Sequence, residues 1–361
     1  MFKKGKLFQA LHVTRARLWK CKLHFPGRFA GRKGLGAGKA CMPAGLRPPS
    51  LLMMADWAQS LLGIKGLLLD VSGVLYDSGG EEGGGVPIPG SIEAVKKIKA
   101  SGLKLRFCTN ETQATREKFV EKLQRLGFDI VVNEVTAPAP AACRILKERQ
   151  LRPHLLVHDD VLPEFEGIDK SSPNCVVVGD AADNFSYKNL NDAFRVLIGL
   201  ENPVLLSLGK GRYYKETDGL KLDVGVYMKA LEYACDIQAE VVGKPAKMFF
   251  QSALTEMGIE PHQAIMIGDD IVHDVGGAQQ CGMKALQVRT GKYSIVHPDK
   301  TKGDTKENAV RSPCLLSFSF CFGLRNNKQV LTEGCFPITA DVYQWVVIII
   351  SILITIVTPG P

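Results

Sequence analysis

Across residues 64–291 short apolar runs alternate with longer helix-forming stretches, and no other property of the chain narrows its fold as far. The runs at 66–70, 103–109, 155–158, 175–179, 204–208, 239–242, 264–268 and 285–288 have the length of strands. Between them, 91–101, 114–126, 139–149, 187–200, 225–234 and 246–257 carry helical patterns. A strand covered on both faces reads as a continuous apolar run, and parallel neighbours need a crossover, usually a helix. The order therefore predicts an α/β fold of parallel sheets with helices on both faces. In such sheets ligands gather beyond the carboxyl ends of the strands.

Four segments carry polar groups at such ends. They are Leu69-Asp70-Val71-Ser72-Gly73, Phe107-Cys108-Thr109-Asn110, Gly243-Lys244-Pro245 and Gly268-Asp269-Asp270-Ile271-Val272-His273-Asp274. Taken singly each is weak, because a strand-end Asp is commonly a cap, Thr-Asn a bend and Gly-Lys-Pro a loop. Together they meet the demands of phosphoryl transfer. Asp70 can attack phosphorus and form an aspartyl-phosphate. Thr109, the Asn110 region and the N–H groups after Asp70 can donate to the phosphoryl oxygens, and Lys244 supplies a positive charge. A carboxylate and a phosphate repel each other, so a metal must bridge them, and hard oxygen ligands point to Mg²⁺.

In this order the four segments resemble the haloacid dehalogenase (HAD) superfamily of phosphatases, and the likeness covers residues 54–292. The resemblance implies a HAD-like Rossmannoid core, a parallel sheet with helices on both faces, interrupted by an inserted α/β cap. On this reading 1–53 is a basic extension, 54–132 and 240–293 form the core, 133–239 the cap and 294–361 an atypical tail. It implies that Asp70 is nucleophile and Mg²⁺ ligand, that Ser72 gives its backbone carbonyl and Asp269 its carboxylate to the metal, and that Lys244 orients the nucleophile. Asp70, Val71, Ser72, Thr109, Asn110 and Lys244 would surround the phosphoryl group. Asp270 or Asp274 would orient the metal's ligands from behind. Cap residues would select the leaving group, and the protein would be a homodimer formed through its caps.

Ser72 narrows the chemistry. Most HAD phosphatases place an Asp two residues after the nucleophile, where it protonates the leaving alkoxide. Serine is no useful acid near neutral pH, and general acid–base help is worth ~10²–10⁴-fold. Alkyl esters would suffer that loss, whereas a P–N bond breaks once solvent protonates nitrogen and pyrophosphate leaves as a stabilised anion. Ser72 is therefore tolerable where the substrates carry P–N or P–O–P bonds, and the resemblance implies phosphohistidine, phospholysine, imidodiphosphate and inorganic pyrophosphate. The alternatives are a small-metabolite phosphomonoesterase, which would keep an acid at 72, and a weakly catalytic HAD-fold interaction or membrane-anchored regulatory protein.

Charge excludes a nucleic-acid partner. Residues 1–50 hold twelve Lys/Arg and no Asp or Glu, so of the formal +8 the rest of the chain carries −4. The basic stretch is read as unstructured, with a mitochondrial targeting segment as the alternative. Cys108, Cys143, Cys175, Cys235 and Cys281 lie in apolar contexts and read as buried free thiols of a cytoplasmic, or also nuclear, protein. Residues 79–85, Gly-rich, read as a loop or short hairpin that could close over the site. The apolar segment 342–357 falls short of the ~20 residues that span a bilayer, so membrane contact through the tail is a minor expectation.

Overall fold

The computed structural model describes residues 61–78, 84–216, 219–288 and 290–291. The expectations for 1–53, for 294–361 with its apolar segment, and for most of the Gly-rich loop lie outside these. The elements below, from β1 to β13, fall within one compact unit.

From β1 (Gly66–Leu69) the chain passes through a short antiparallel pair, β2 (Tyr76–Asp77) and β3 (Val86–Pro87), to α1 (Ser91–Ala100). It continues through β4 (Lys104–Cys108), α2 (Arg116–Arg125), β5 (Val135–Thr136), α3 (Pro138–Glu148), β6 (Pro153–Leu156) and β7 (Cys175–Val178). Then follow α4 (Tyr187–Ile198), β8 (Leu205–Ser207), the hairpin β9 (Tyr213–Glu216) and β10 (Gly219–Leu222), α5 (Val224–Cys235) and β11 (Glu240–Val241). The last described elements are α6 (Lys247–Met257), β12 (Ala264–Gly268), α7 (Gly277–Gln280) and β13 (Lys284–Gln287).

Two parallel sheets result, as the alternation predicts. The first has the order β13-β12-β1-β4-β5 and the second β11-β8-β7-β6. The two-residue period of a strand explains how each sheet is covered twice. In β7, Cys175 and Val177 pack with Ile145 and Leu146 of α3 and with Phe165, while Val176 and Val178 pack with Leu197 of α4 and Met228 of α5. In the first sheet Leu68, Cys108 and Met266 pack with Phe249, Phe250 and Leu254 of α6. The apolar face of α2, Phe119, Val120 and Leu123, is buried, and Thr115 caps its start by accepting the Lys118 N–H at 3.3 Å.

Several boundaries differ from the sequence reading, each for a local reason. Val135 and Thr136 pair with Phe107 and Cys108, so the first sheet runs past 132. Glu240 and Val241 pair with Leu206 and Ser207, so they belong to the second sheet and not to the core segment expected from 240. The run expected at 155–158 forms a strand two residues earlier, because the His158 ring accepts the Asp160 N–H at 3.1 Å and starts a 3₁₀ turn over Asp159–Phe165. His158 is thus a structural cap. Of the five thiols, all free, Cys108, Cys175 and Cys281 are buried, whereas Cys143 and Cys235 are half-exposed. Burial pushes Cys108 and Cys175 up to about 12, well outside the reactive range. Among the described residues no helix is long and apolar enough to cross a membrane.

Candidate active site

The site forms where three adjacent strands of the first sheet end. Leu69 lies beside Ile267 on one side and Phe107 on the other. The residues that follow, Asp70, Gly268 with Asp269, and Cys108 with Thr109, therefore emerge together. Asp70 is still tied into the sheet, its N–H donating to Ile267 O at 2.8 Å. The chain then turns sharply, and the N–H groups of Val74 and Leu75 converge on Val71 O at 3.3 and 2.8 Å. Gly73 has φ +81°, and a Cβ there would lie 2.5 Å from Asp269 Oδ2. Only glycine lets this backbone approach the second carboxylate so closely.

Lys244 reaches the same point from the return crossover. Asn110 grips its backbone twice: Lys244 N–H donates to Asn110 Oδ1 at 2.8 Å, and Asn110 Nδ2 donates to Lys244 O at 3.0 Å. A Cβ on Gly243 would sit 2.3 Å from Leu208 O and 2.7 Å from Asn110 Oδ1, so the passage admits no side chain. The Lys244 ammonium donates to Asp70 Oδ1 at 2.6 Å and to Asp274 Oδ1 at 2.7 Å. Its side chain is 4% exposed, against 10% for Asp70 and 1% for Asp274.

Burial disfavours charge on Lys244, but Asp274 and Asp70 outweigh it and raise its pKa, so the amine is protonated. Burial, and then the charge of Asp70, raise Asp274 above the usual carboxylate range, with Lys244 pulling it back. Lys244→Met leaves these carboxylates without their shared cation. Removing one partner of a buried pair costs about 3–5 kcal/mol, so the variant is expected to unfold at markedly lower urea concentration in metal-free buffer. An unchanged midpoint would show that the lysine is not structural.

Asp269 and Asp274 come from different conformations. Asp269 follows β12 directly. Asp270 begins a π-helical turn, Ile271–Gly276, by accepting the N–H groups of Val272 and His273, each at 2.9 Å. Its other oxygen meets His273 Nδ1 at 2.6 Å. Asp270 thus serves the turn, and His273 serves Asp270. Asp274 Oδ2 accepts the Asp270 N–H at 3.0 Å while Oδ1 holds Lys244. Of the two carboxylates expected to act from behind, Asp274 is the one at the site.

Oxygens of Asp70, Asp269 and Asp274 lie within 4.8 Å of one another, all three residues buried. Three hard-oxygen donors around one point, with the Gly73 backbone against one of them, suit a divalent cation. Asp274 uses Oδ1 to hold Lys244 and Oδ2 to accept the Asp270 N–H, so both of its oxygens are committed to positioning the lysine and the turn. Thr109 is buried, and its Oγ1 accepts the Glu111 N–H at 3.0 Å. Val71 is buried, while Ser72 is exposed and its hydroxyl lies 3.4 Å from Tyr76 Oη.

These residues coincide with regions matched to known proteins. A family model described as haloacid dehalogenase-like hydrolase matches residues 67–170, and a HAD-hydrolase-like model matches 241–309. Phospholysine phosphohistidine inorganic pyrophosphate phosphatase of Danio rerio is 69% identical over 242 residues, which cover 67% of this chain and 89% of the relative. The chain belongs to the haloacid dehalogenase-like hydrolases. The protein of the same name from Homo sapiens is 66% identical over 253 residues, 70% of this chain and 93% of the relative. A 4-nitrophenylphosphatase structure from Thermotoga maritima shares the fold, with TM-score 0.59 at 23% identity over 68% of this chain and 94% of that one. In this haloacid dehalogenase-like hydrolase the first matched region holds Asp70, Ser72, Thr109 and Asn110, and the second holds Lys244, Asp269 and Asp274.

The sequence reading did not single out Thr112, Gln113, Asp180 and Tyr214, which join the two sheets near the site. A signal was present: Gly179-Asp180 after an apolar run repeats the strand-end pattern of Gly268-Asp269.

Proposed function

We propose that this chain is a Mg²⁺-dependent phosphohydrolase that cleaves P–N and P–O–P bonds, those of phosphohistidine, phospholysine, imidodiphosphate and inorganic pyrophosphate, through an aspartyl-phosphate on Asp70. The observation that carries the reading is the buried Asp70 carboxylate held by Lys244 at 2.6 Å, with a serine where a strong general acid would stand. The names of the relatives at 66–69% identity support the same substrates.

With Oδ1 of Asp70 held by Lys244, Oδ2 is the oxygen available to attack phosphorus. The new O–P bond forms as the P–N or P–O bond breaks, and the electron pair leaves on nitrogen or oxygen, which takes its proton from solvent. Water then attacks the acyl phosphate, releasing orthophosphate and restoring the carboxylate. Lys244, Thr109 and the backbone around Val71 and Ser72 hold the charge on the transferring group in a preorganised, buried setting. A Mg²⁺ ion held by Asp70, Asp269 and the Ser72 carbonyl would supply charge neutralisation between nucleophile and phosphate.

Phosphate release from imidodiphosphate tests the metal assignment. Chelation is expected to abolish release and Mg²⁺ to restore it. Asp269→Asn is expected to raise the half-saturating Mg²⁺ concentration by ~10-fold or more. An unchanged Mg²⁺ requirement would remove Asp269 from the metal site.

The proposal extends to a homodimer formed through the cap. It is supported by Leu220 and Leu222, both exposed on one face of β10. The free thiols support a reducing compartment.

A further inference from the structure

We propose that Gln113 is a positioning residue, the latch through which the cap is held over the phosphoryl-binding end of β4. It lies four residues after Thr109, on the loop between β4 and α2. Its side-chain amide donates twice into the cap, to Asp180 Oδ2 at 2.8 Å and to the Tyr214 hydroxyl at 2.9 Å. Asp180 follows β7, and Tyr214 lies in the hairpin strand β9. The neighbouring Thr112 adds a third link, its Oγ1 accepting the Asp180 N–H at 3.1 Å. Thr112 and Asp180 are both buried.

The latch is continuous with the catalytic loop. Thr109 Oγ1 accepts the Glu111 N–H at 3.0 Å, and Glu111 Oε1 accepts the Gln113 N–H at 2.7 Å. One chain of hydrogen bonds therefore runs from the phosphoryl-holding threonine through Gln113 to two cap elements that lie 67 and 101 residues beyond Gln113 in sequence. The linked loops follow β4 in the first sheet and β7 in the second, so the sheets meet carboxyl end to carboxyl end. A substrate with its phosphoryl group at Asp70 extends its leaving group toward that seam. A second connection lies further out, where the cap residue Glu164 accepts the Arg116 N–H at 2.9 Å and Lys118 meets Asp160 at 2.8 Å. The cap thus stays attached without Gln113, while its seating at the seam depends on it.

The inference rests on the proposed function for its substrates, and it separates contacts made by the core from contacts made by the cap. Gln113→Ala keeps the phosphoryl-binding groups but loosens the cap around the leaving group. With phosphohistidine, kcat/KM is expected to fall ~10-fold, chiefly through KM, as for loss of two hydrogen bonds. With imidodiphosphate, which has no organic leaving group, it is expected to stay within ~3-fold. Amide hydrogen exchange is expected to quicken ~10-fold or more in 179–182 and 213–216, while 264–268 stays protected. Tyr214→Phe, which removes one of the two acceptors of the Gln113 amide, is expected to move both readouts in the same direction by less, and it decides the matter if Gln113→Ala does not fold. Equal losses on the two substrates, or unchanged exchange in the two cap segments, would overturn the latch. A wild type that hydrolyses neither compound would instead overturn the proposed function, and the exchange measurement would then decide the latch by itself.

Discussion

Asp70→Asn is expected to lower turnover on every substrate by ~10⁴-fold or more, since a neutral amide cannot form the acyl phosphate. The loss is expected without unfolding. Asparagine matches aspartate in volume, and Asp70 sits at a strand end where its N–H still bonds Ile267 O. Lys244 keeps Asp274 at 2.7 Å as a counter-charge, so no cation is left buried alone. The variant is therefore expected to retain the circular dichroism and nearly the melting temperature of the wild type. Phosphate release from imidodiphosphate, measured beside a thermal melt, checks both halves. A folded variant with appreciable turnover would exclude Asp70 as nucleophile.

Ser72→Asp is expected to work in the opposite sense on a different class of substrate. An aspartate two residues after the nucleophile can protonate an alkoxide leaving group and then activate water. Such help is worth ~10²–10⁴-fold, and an alkyl phosphate should gain most of it. Phosphohistidine, whose leaving nitrogen is protonated by solvent, should gain little. Position 72 is exposed and has room for the carboxylate, and its hydroxyl lies 3.4 Å from Tyr76 Oη. The ratio of kcat/KM for an alkyl phosphate to that for phosphohistidine is the decisive quantity. If the substitution leaves the ratio unchanged, the missing acid does not explain the substrate range.

Much of the fold is legible in the sequence because its central strands are buried on both faces. All four residues of β1 and of β7 are buried, and such runs can be read without knowing their partners. Where burial does not shape the sequence, the reading falls short. Strand β10 is exposed at every residue, so the β9–β10 hairpin lacks the continuous apolar run that marks the buried strands. Strand β5 is two residues long and is defined by its pairing with β4. The π-helical turn after Asp270 depends on contacts that a linear pattern does not carry, above all Asp274 bonded both to Lys244 and to the Asp270 N–H.

The candidate site follows the same division. Asp70, Thr109, Lys244 and Asp269 were legible because phosphoryl transfer demands those groups at strand ends, and the fold brings the strand ends together. Asp270 and Asp274 look alike in sequence, and only the geometry assigns one to a helix cap and the other to Lys244. Gln113 has no chemical signature, since its partners lie across the seam between the sheets and its role is one of position.

The most direct test of the account is to find the phosphoryl group on the protein. With no acid–base residue at 72 to activate water, the acyl phosphate is expected to accumulate during turnover. Wild-type protein turning over imidodiphosphate with Mg²⁺ would be acid-quenched, reduced with borohydride to convert an acyl phosphate into an alcohol, and mapped by mass spectrometry. The account predicts modification at Asp70 that vanishes in Asp70→Asn. Turnover with no modification at Asp70, or with the phosphoryl group on another side chain, would contradict it.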